Sequence, residues 1–142
     1  MAKQIQVGWR EWVALPDLGI ARIKAKVDTG ARTSCLHAYQ LKTFERDGEP
    51  WVEFWLHPVQ NNSDITHRCE AKIIDKRNVT DSGGHKESRF VIASQLHIAG
   101  KSWPIEITLT NRDSMKFRML LGRTAMAGRI SVDPAASFLT GQ

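Results

Sequence analysis

The sequence has 142 residues, of which 42% are hydrophobic and 25% are charged. This balance is typical of a folded domain and excludes a disordered chain, and no apolar run is long enough for a transmembrane helix. Lysine and arginine number 20 against 15 acidic residues, so the net charge of +5 favours an acidic partner without identifying it. We expect residues 1–142 to form a single domain.

Two features indicate the cytoplasm. The N-terminal segment lacks the apolar core of a signal peptide, so we expect no export. Two cysteines do not make a disulfide framework, and both are expected to be free thiols.

The predicted elements are mostly β-strands. Apolar and basic residues alternate over 23–27, which predicts a half-buried strand with a basic outer face. Residues 51–56 and 105–109 each place alternate apolar side chains on one face. The segments 90–92 and 119–121 are continuously apolar, which is typical of buried strands.

Turn signals separate these strands. They are rich in glycine, proline and aspartate and occur at 16–19, 46–50, 82–84 and 99–101. A short helix is predicted from Arg123 to Ala127, ended by Gly128, and the polar segment 59–64 is predicted to be a loop. Short strands at this spacing predict a small β-barrel or sandwich.

Asp28, Thr29 and Gly30 directly follow the first of these strands. Asp-Thr-Gly at the end of an apolar strand is the pattern of the catalytic loop of aspartic proteases. There, two carboxylates share one proton, so that one activates a water while the other polarises the scissile carbonyl. Threonine can fix the paired loops, and glycine permits the tight turn. The alternative is an ordinary β-turn, because all three residue types favour turns.

Downstream segments support the catalytic interpretation. The stretch 117–123 places an apolar strand before Gly-Arg and resembles the second signature of retroviral-type proteases, while 79–85 resembles a glycine-tipped flap. Substrate binding is assigned to residues beside the aspartate and at this tip, namely Ala31, Arg32, Ser82, Gly83, Gly84 and His85. Structural support for the loop is assigned to Leu121, Gly122 and Arg123.

These segments together resemble one bacterial family of retropepsin-like proteins, commonly labelled ATP-dependent zinc proteases. The matching stretches are 28–34, 37–38, 79–85, 103–106, 109–112 and 119–123. The resemblance runs from about Trp9 to Phe138 and implies a mostly-β, closed acid-protease barrel with one short helix after Leu-Leu-Gly-Arg. Members often occur beside an ATP-grasp ligase that adds glutamates to a protein tail, which implies a functional link to such a ligase.

The resemblance also implies a homodimer. The sequence has a single Asp-Thr-Gly, so Asp28 and its symmetry mate would form the dyad, without a metal or other cofactor. Many retroviral enzymes have an acid where this sequence has Arg32, so Arg123 needs another partner, and Asp113 and Asp133 are the candidates. The net charge and Arg32 point to an acidic or glutamate-modified peptide as substrate.

Three alternatives remain from the sequence. The same fold could bind peptides without cleaving them. A zinc hydrolase is possible if Cys35 and His37 lie on a strand next to one carrying His67 and Cys69, because residues two apart on a strand share a face. Nucleic-acid binding is suggested by five tryptophans among 20 basic residues, but these basic residues are dispersed, so we do not expect it.

Overall fold

The computed structural model describes residues 4–56, 66–80, 83–111 and 117–140. The strands in this part of the chain are β1 (Ile5–Val7), β2 (Arg10–Leu15), β3 (Ile20–Val27), β4 (Ser34–His37), β5 (Tyr39–Arg46), β6 (Glu49–Leu56), β7 (His67–Thr80), β8 (Lys86–Ile98), β9 (Lys101–Thr110), β10 (Met119–Leu121) and β11 (Ile130–Val132). A 3-10 turn occupies Pro16–Leu18, and the helix α1 spans Arg123–Met126. The predicted loop at 59–64 lies outside the described residues.

Six strands close into a barrel in the order β2-β3-β10-β4-β9-β8, and β2 pairs back with β8 at Ala14 and His97. The β3–β10 and β4–β9 pairs are parallel, and the other pairs in the ring are antiparallel. The mostly-β closed barrel with a short helix after Leu121, which the sequence predicts, is therefore confirmed.

The barrel interior holds the apolar faces that alternation predicts. Ile23 and Ala25 of β3 are fully buried, while the neighbouring Arg22 and Lys26 are exposed. On β9, Ile107 and Leu109 are buried at the core. Removal of these side chains from water is the main favourable contribution to folding.

The sheet continues beyond the barrel because β7 changes partner along its length. Residues 67–72 pair with β6, which pairs with β5; we call this three-stranded extension the flange. Residues 73–80 pair instead with residues 86–92 of β8, and this hairpin is the flap. Residues 39–56 and 67–72 therefore form the flange, and residues 73–80 contribute one strand of the flap.

Segments near the two ends of the described chain are joined by strand pairing and hydrogen bonds. Strands β1 and β11 form a separate parallel pair. The fully buried carboxylate of Glu11 accepts hydrogen bonds from the backbone N–H groups of Gly8, Leu139 and Thr140, at 2.7, 2.8 and 3.2 Å. In the described residues, no helix has the length and apolar character needed to span a bilayer.

Candidate active site

Asp28 lies where two parallel strands end side by side. Val27 is the last residue of β3 and is in register with Leu121, the last residue of β10. The Asp28 N–H donates to the Leu121 carbonyl at 2.9 Å, so the aspartate loop begins at this pair of strands. One carboxylate oxygen of Asp28 accepts the Gly30 N–H at 3.0 Å, and the Ala31 N–H donates to the Asp28 carbonyl at 3.2 Å. These bonds make a tight turn that presents the carboxylate.

The start of α1 is bonded to the same loop. The N–H of Arg123 donates to the Ala31 carbonyl at 2.8 Å, and the N–H of Thr124 donates to the Arg32 carbonyl at 2.9 Å. The Arg123 guanidinium then donates through Nη1 to the carbonyls of Thr29 and Gly30, both at 3.2 Å. Arg123 therefore supports the aspartate loop through backbone carbonyls.

The expected acidic partner of Arg123 is not Asp133. The Asp133 carboxylate accepts the Ala135 N–H at 3.0 Å and, in the described part of the chain, makes no ion pair with Arg123. Asp113, the other candidate, lies outside the described residues. The reason that Asp133 is not needed is physical: the turn presents the carbonyl oxygens of Thr29 and Gly30 to the guanidinium, and these accept its hydrogen bonds.

Glycine is required at position 122 because there is no room for a side chain. Its N–H donates to the Ser34 hydroxyl at 3.0 Å, and the residue is buried between the aspartate loop and the start of β4. A Cβ atom at this position would lie 2.5 Å from the carbonyl carbon of Thr33 and 2.8 Å from the Ser34 nitrogen. Because these are backbone atoms, any side chain would push the strands apart.

A cavity of about 860 Å³ opens beside the Asp28 carboxylate. It is lined by the aspartate loop, the flap strand and one face of the barrel, through Asp28, Gly30, Ala31, Arg32, Thr33, Cys35, Arg77, Asn78, Val79, Thr80, Arg89, Thr108, Thr110, Leu120 and Arg123. The structure thus brings four of the predicted loop residues and Arg123 to one cavity.

The predicted flap tip is placed elsewhere. Gly83, Gly84 and His85 are exposed and are not part of the lining of this cavity, and Ser82 lies outside the described residues. Residues 77–80 line the cavity instead, because β7 passes beside the cavity before the chain reaches the tip. Among the described residues, the flap therefore lines the cavity through its strand.

The floor of the cavity follows the strand register. Leu120 of β10 is opposite Cys35 of β4, and Cys35 is opposite Thr108 of β9. Arg89 of β8 and Thr110 of β9 continue the same surface. Sequence reasoning missed Arg89, Thr108 and Thr110. The available signal was the strand alternation, which separates the threonines from the apolar face of β9 without showing what they line.

Arg89 is a buried cation at this floor. Its side chain is 7% exposed, and its Nε donates to Glu87 at 2.9 Å. Glu87 also accepts the Thr110 hydroxyl, at 2.9 and 3.1 Å to its two oxygens. The Nη1 of Arg89 donates to the Cys35 sulfur at 3.5 Å.

Arg77, on the flap side of the cavity, is held by two acids. Its guanidinium donates to Asp75 at 2.6 Å and to Glu106 at 2.8 Å. The hydrogen bond from Arg77, followed by that from the Lys76 N–H, lowers the pKa of Asp75 below its ordinary value. Arg32 is exposed, and no carboxylate in the described ranges forms an ion pair with it.

The two cysteine–histidine pairs do not meet. Cys35 and His37 lie on β4, while His67 and Cys69 lie on β7, and β9 and β8 separate these strands. His67 and Cys69 both contact the Leu18 carbonyl, at 2.9 and 3.4 Å. Burial raises the pKa of the Cys69 thiol to about 12. Across the described ranges, no group of three or more histidine, cysteine or acidic side chains could hold a metal ion, so the Cys2His2 hypothesis is wrong for these residues.

Comparison with known families and structures agrees with this geometry. The family model described as RimB-like, retropepsin-like aspartic endopeptidase RimB, matches residues 6–142. A solved structure of the protein Lpg0085 from Legionella pneumophila, of unknown function, superposes with a TM-score of 0.82 at 27% identity. The match covers 97% of this chain and 99% of that chain.

Curated relatives are much longer than this chain. Proteins named probable alpha-L-glutamate ligase from Shewanella pealeana and Shewanella halifaxensis are 54% and 55% identical over 136 residues. A protein of the same name from Desulfotalea psychrophila is 49% identical over 142 residues. The chain spans about 30% of the length of each of these relatives.

Proposed function

Because the chain belongs to the RimB-like family of retropepsin-like aspartic endopeptidases, we propose that it is an aspartic endopeptidase in which residues 1–142 form one retropepsin-like domain. The position of Asp28 carries this proposal. Its carboxylate stands at the end of two paired parallel strands, beside a cavity large enough for several residues of a peptide. Arg123 holds the loop in place by hydrogen bonds to its carbonyls, and catalysis requires such a fixed geometry.

The proposed mechanism uses two Asp28 carboxylates across a homodimer. Two carboxylates at short distance share one proton, because both cannot ionise together. The ionised one removes a proton from a water, which attacks the scissile carbonyl, while the protonated one hydrogen-bonds to the carbonyl oxygen. The tetrahedral intermediate then breaks its C–N bond as the leaving amine takes up the proton that the base carboxylate removed from the water. No covalent enzyme intermediate forms.

The proposed substrate is an acidic protein tail. The net charge of +5 and the four arginines of the cavity lining favour acidic peptides. Relatives named probable alpha-L-glutamate ligase contain this domain within a longer chain, so we propose a functional link to a cytoplasmic ligase that attaches glutamates. On this proposal, the domain hydrolyses tails of the kind that such a ligase extends.

The test is the Asp28→Asn variant, assayed on glutamate-rich peptides across pH. We expect cleavage to fall by about 10²- to 10⁴-fold, because the variant lacks the general base, with an unchanged melting temperature. Asp47→Asn, at the exposed turn of the flange, removes the same charge and should cleave like the parent. Equal rates for the parent and Asp28→Asn would contradict the mechanism, and a parent that binds peptide without cleaving it would point to a binding module.

A mixing experiment tests whether the two aspartates of the dyad come from different subunits. Parent and Asp28→Asn subunits are mixed in equal amounts and allowed to exchange. About one quarter of the dimers should then keep two aspartates, so the activity should be about one quarter of that of the same total amount of parent protein. A chain that works alone would keep about one half. Sedimentation of the same mixtures establishes whether dimers are present.

A further inference from the structure

Among the arginines of the cavity lining, Arg89 differs from the other three. Arg77 is bonded by two acids, and Arg123 donates to loop carbonyls. Arg32 is exposed, so water competes for its charge. Arg89 is paired with a single acid of the described ranges, Glu87, is 7% exposed and still lines the cavity. A cation in such a position interacts more strongly with a ligand than a surface cation does.

The Arg89 guanidinium is held in place and still has N–H groups that could donate to a ligand. The Nε bond to Glu87 fixes its plane, and Glu87 is in turn fixed by the Thr110 hydroxyl. A guanidinium carries five N–H donors, and Nη2 makes no hydrogen bond to any described residue. Nη1 donates at 3.5 Å to the Cys35 sulfur, which is a weak acceptor. An incoming oxygen anion would therefore replace a poor bond with a strong one.

The strand register places this group relative to the reacting carboxylate. The Cys35 sulfur that Arg89 contacts lies two strands from β3, whose last residue precedes Asp28. With neighbouring strands about 4.8 Å apart, the Arg89 guanidinium is on the order of 10 Å from Asp28. An extended peptide rises about 3.3 Å per residue, so this separation corresponds to about three substrate residues.

We propose that Arg89 binds a carboxylate of the substrate within about three residues of the scissile bond, and so determines specificity for acidic peptides. This inference rests on the proposed function and deepens it. The ligand is a carboxylate because two parallel N–H donors of a guanidinium match its two oxygens, which a neutral amide cannot offer. Such a carboxylate has two sources, a glutamate side chain or the α-carboxylate at the end of a tail.

The experiment measures peptide binding to the full chain carrying Asp28→Asn, so that no turnover is needed. Three peptides of one length are compared: one with glutamates and an amidated end, one with glutamines and an amidated end, and one with glutamines and a free end. Arg89→Gln is introduced into this background. Arg22→Gln is the matched control, because it removes the same charge from the exposed face of β3, where Arg22 stacks on Trp12.

We expect the glutamate peptide to bind about tenfold more tightly than the amidated glutamine peptide. Arg89→Gln should reduce this preference to within about twofold, while Arg22→Gln keeps it. Arg89-dependent binding of the free-ended glutamine peptide would identify the α-carboxylate as the source. The proposal would be overturned if the preference for the glutamate peptide survived Arg89→Gln. It would also be overturned if the Asp28→Asn protein with Arg89 intact did not distinguish the peptides.

Removal of Arg89 alone leaves the Glu87 carboxylate, whose side chain is 39% exposed, without its cation, which can destabilise the fold. The double variant Glu87→Gln with Arg89→Gln avoids this, because the two amides can hydrogen-bond to each other. We expect the double variant to keep its melting temperature and to lose the glutamate preference. If the parent cleaves no peptide but this binding pattern holds, the proposed function fails and the inference about Arg89 stands.

Discussion

The aspartate loop and the flange are held by different kinds of interaction. The loop is fixed by backbone bonds to β10 and α1 and by the close packing of Gly122 on Thr33 and Ser34. The outer face of the flange has ion pairs such as Lys72 with Glu49, whose side chains are 47% and 51% exposed. Several hydrogen bonds that converge on one short loop tolerate little displacement, whereas exposed ion pairs contribute little and are readily replaced by water. The molecule is therefore expected to be rigid where Asp28 is positioned and tolerant at the outer face of the flange.

The largest expected effect follows substitution in the loop support. Gly122→Ala should lower the free energy of unfolding by about 2–4 kcal/mol, because the new Cβ meets backbone atoms that cannot move alone. It should also reduce cleavage, since β10 and the aspartate loop separate. Chemical denaturation and peptide assays measure both quantities.

The control for this variant is Gly100→Ala. Gly100 has a φ of +76°, which disfavours alanine, but a Cβ there meets nothing within 4 Å. We expect it to cost about 1 kcal/mol and to leave cleavage unchanged. If Gly122→Ala costs no more than Gly100→Ala, packing of the loop is not what holds Asp28.

The inner face of the flange should give the next largest effect, through Cys69. Burial raises the pKa of its thiol to about 12, while the unfolded thiol titrates near 9.0. As pH rises above 9, the unfolded chain loses its proton first, so the free energy of unfolding falls between pH 9 and 12. Below pH 9 this group has no effect.

Denaturation of the parent and of Cys69→Ala at pH 8 and pH 10.5 isolates this contribution. At pH 10.5, we expect the parent to lose about 2 kcal/mol more than the variant does, relative to pH 8. Other titrating groups, including Cys35, are common to both proteins. Parallel pH profiles would show that Cys69 is accessible in the folded protein and that the inner face of the flange is not tightly packed.

The smallest effect is expected on the outer face of the flange. Glu49→Gln removes the partner of Lys72 and should change the free energy of unfolding by no more than about 0.5 kcal/mol, with cleavage unchanged. Raising the salt concentration should remove even this difference. If Glu49→Gln lowered the free energy of unfolding as much as Gly122→Ala does, the outer face of the flange would be as sensitive to substitution as the aspartate loop, and the comparison would be wrong.

Local structure was predictable where one pattern decides it. The alternation over 51–56 predicts the buried face of β6, and Val52, Phe54 and Leu56 are fully buried. The Leu-Leu-Gly-Arg segment predicts a strand followed by a short helix, as found. These elements follow from side-chain periodicity and turn residues, which act over a few neighbouring positions.

The composition of the site was only partly predictable. Asp28, Ala31 and Arg32 meet at the cavity because they lie within five consecutive residues of the chain. Arg89 and Thr110 join them only through the pairing of β8 with β9 and of β9 with β4. The carbonyl oxygens that accept from Arg123 could not be predicted from charge alone, because backbone carbonyls have no signature in a sequence.

By itself, the sequence determined segments of β3, β6, β8, β9 and β10, several turns, the short helix and the position of the Asp-Thr-Gly loop, since these depend on local periodicity and conformational preference. Tertiary structure decided the rest. It closes the ring between β2 and β8, divides β7 between flange and flap, and brings the buried cation of Arg89 into the cavity of Asp28. Strand register sets these contacts, and register is a property of distant segments packed together.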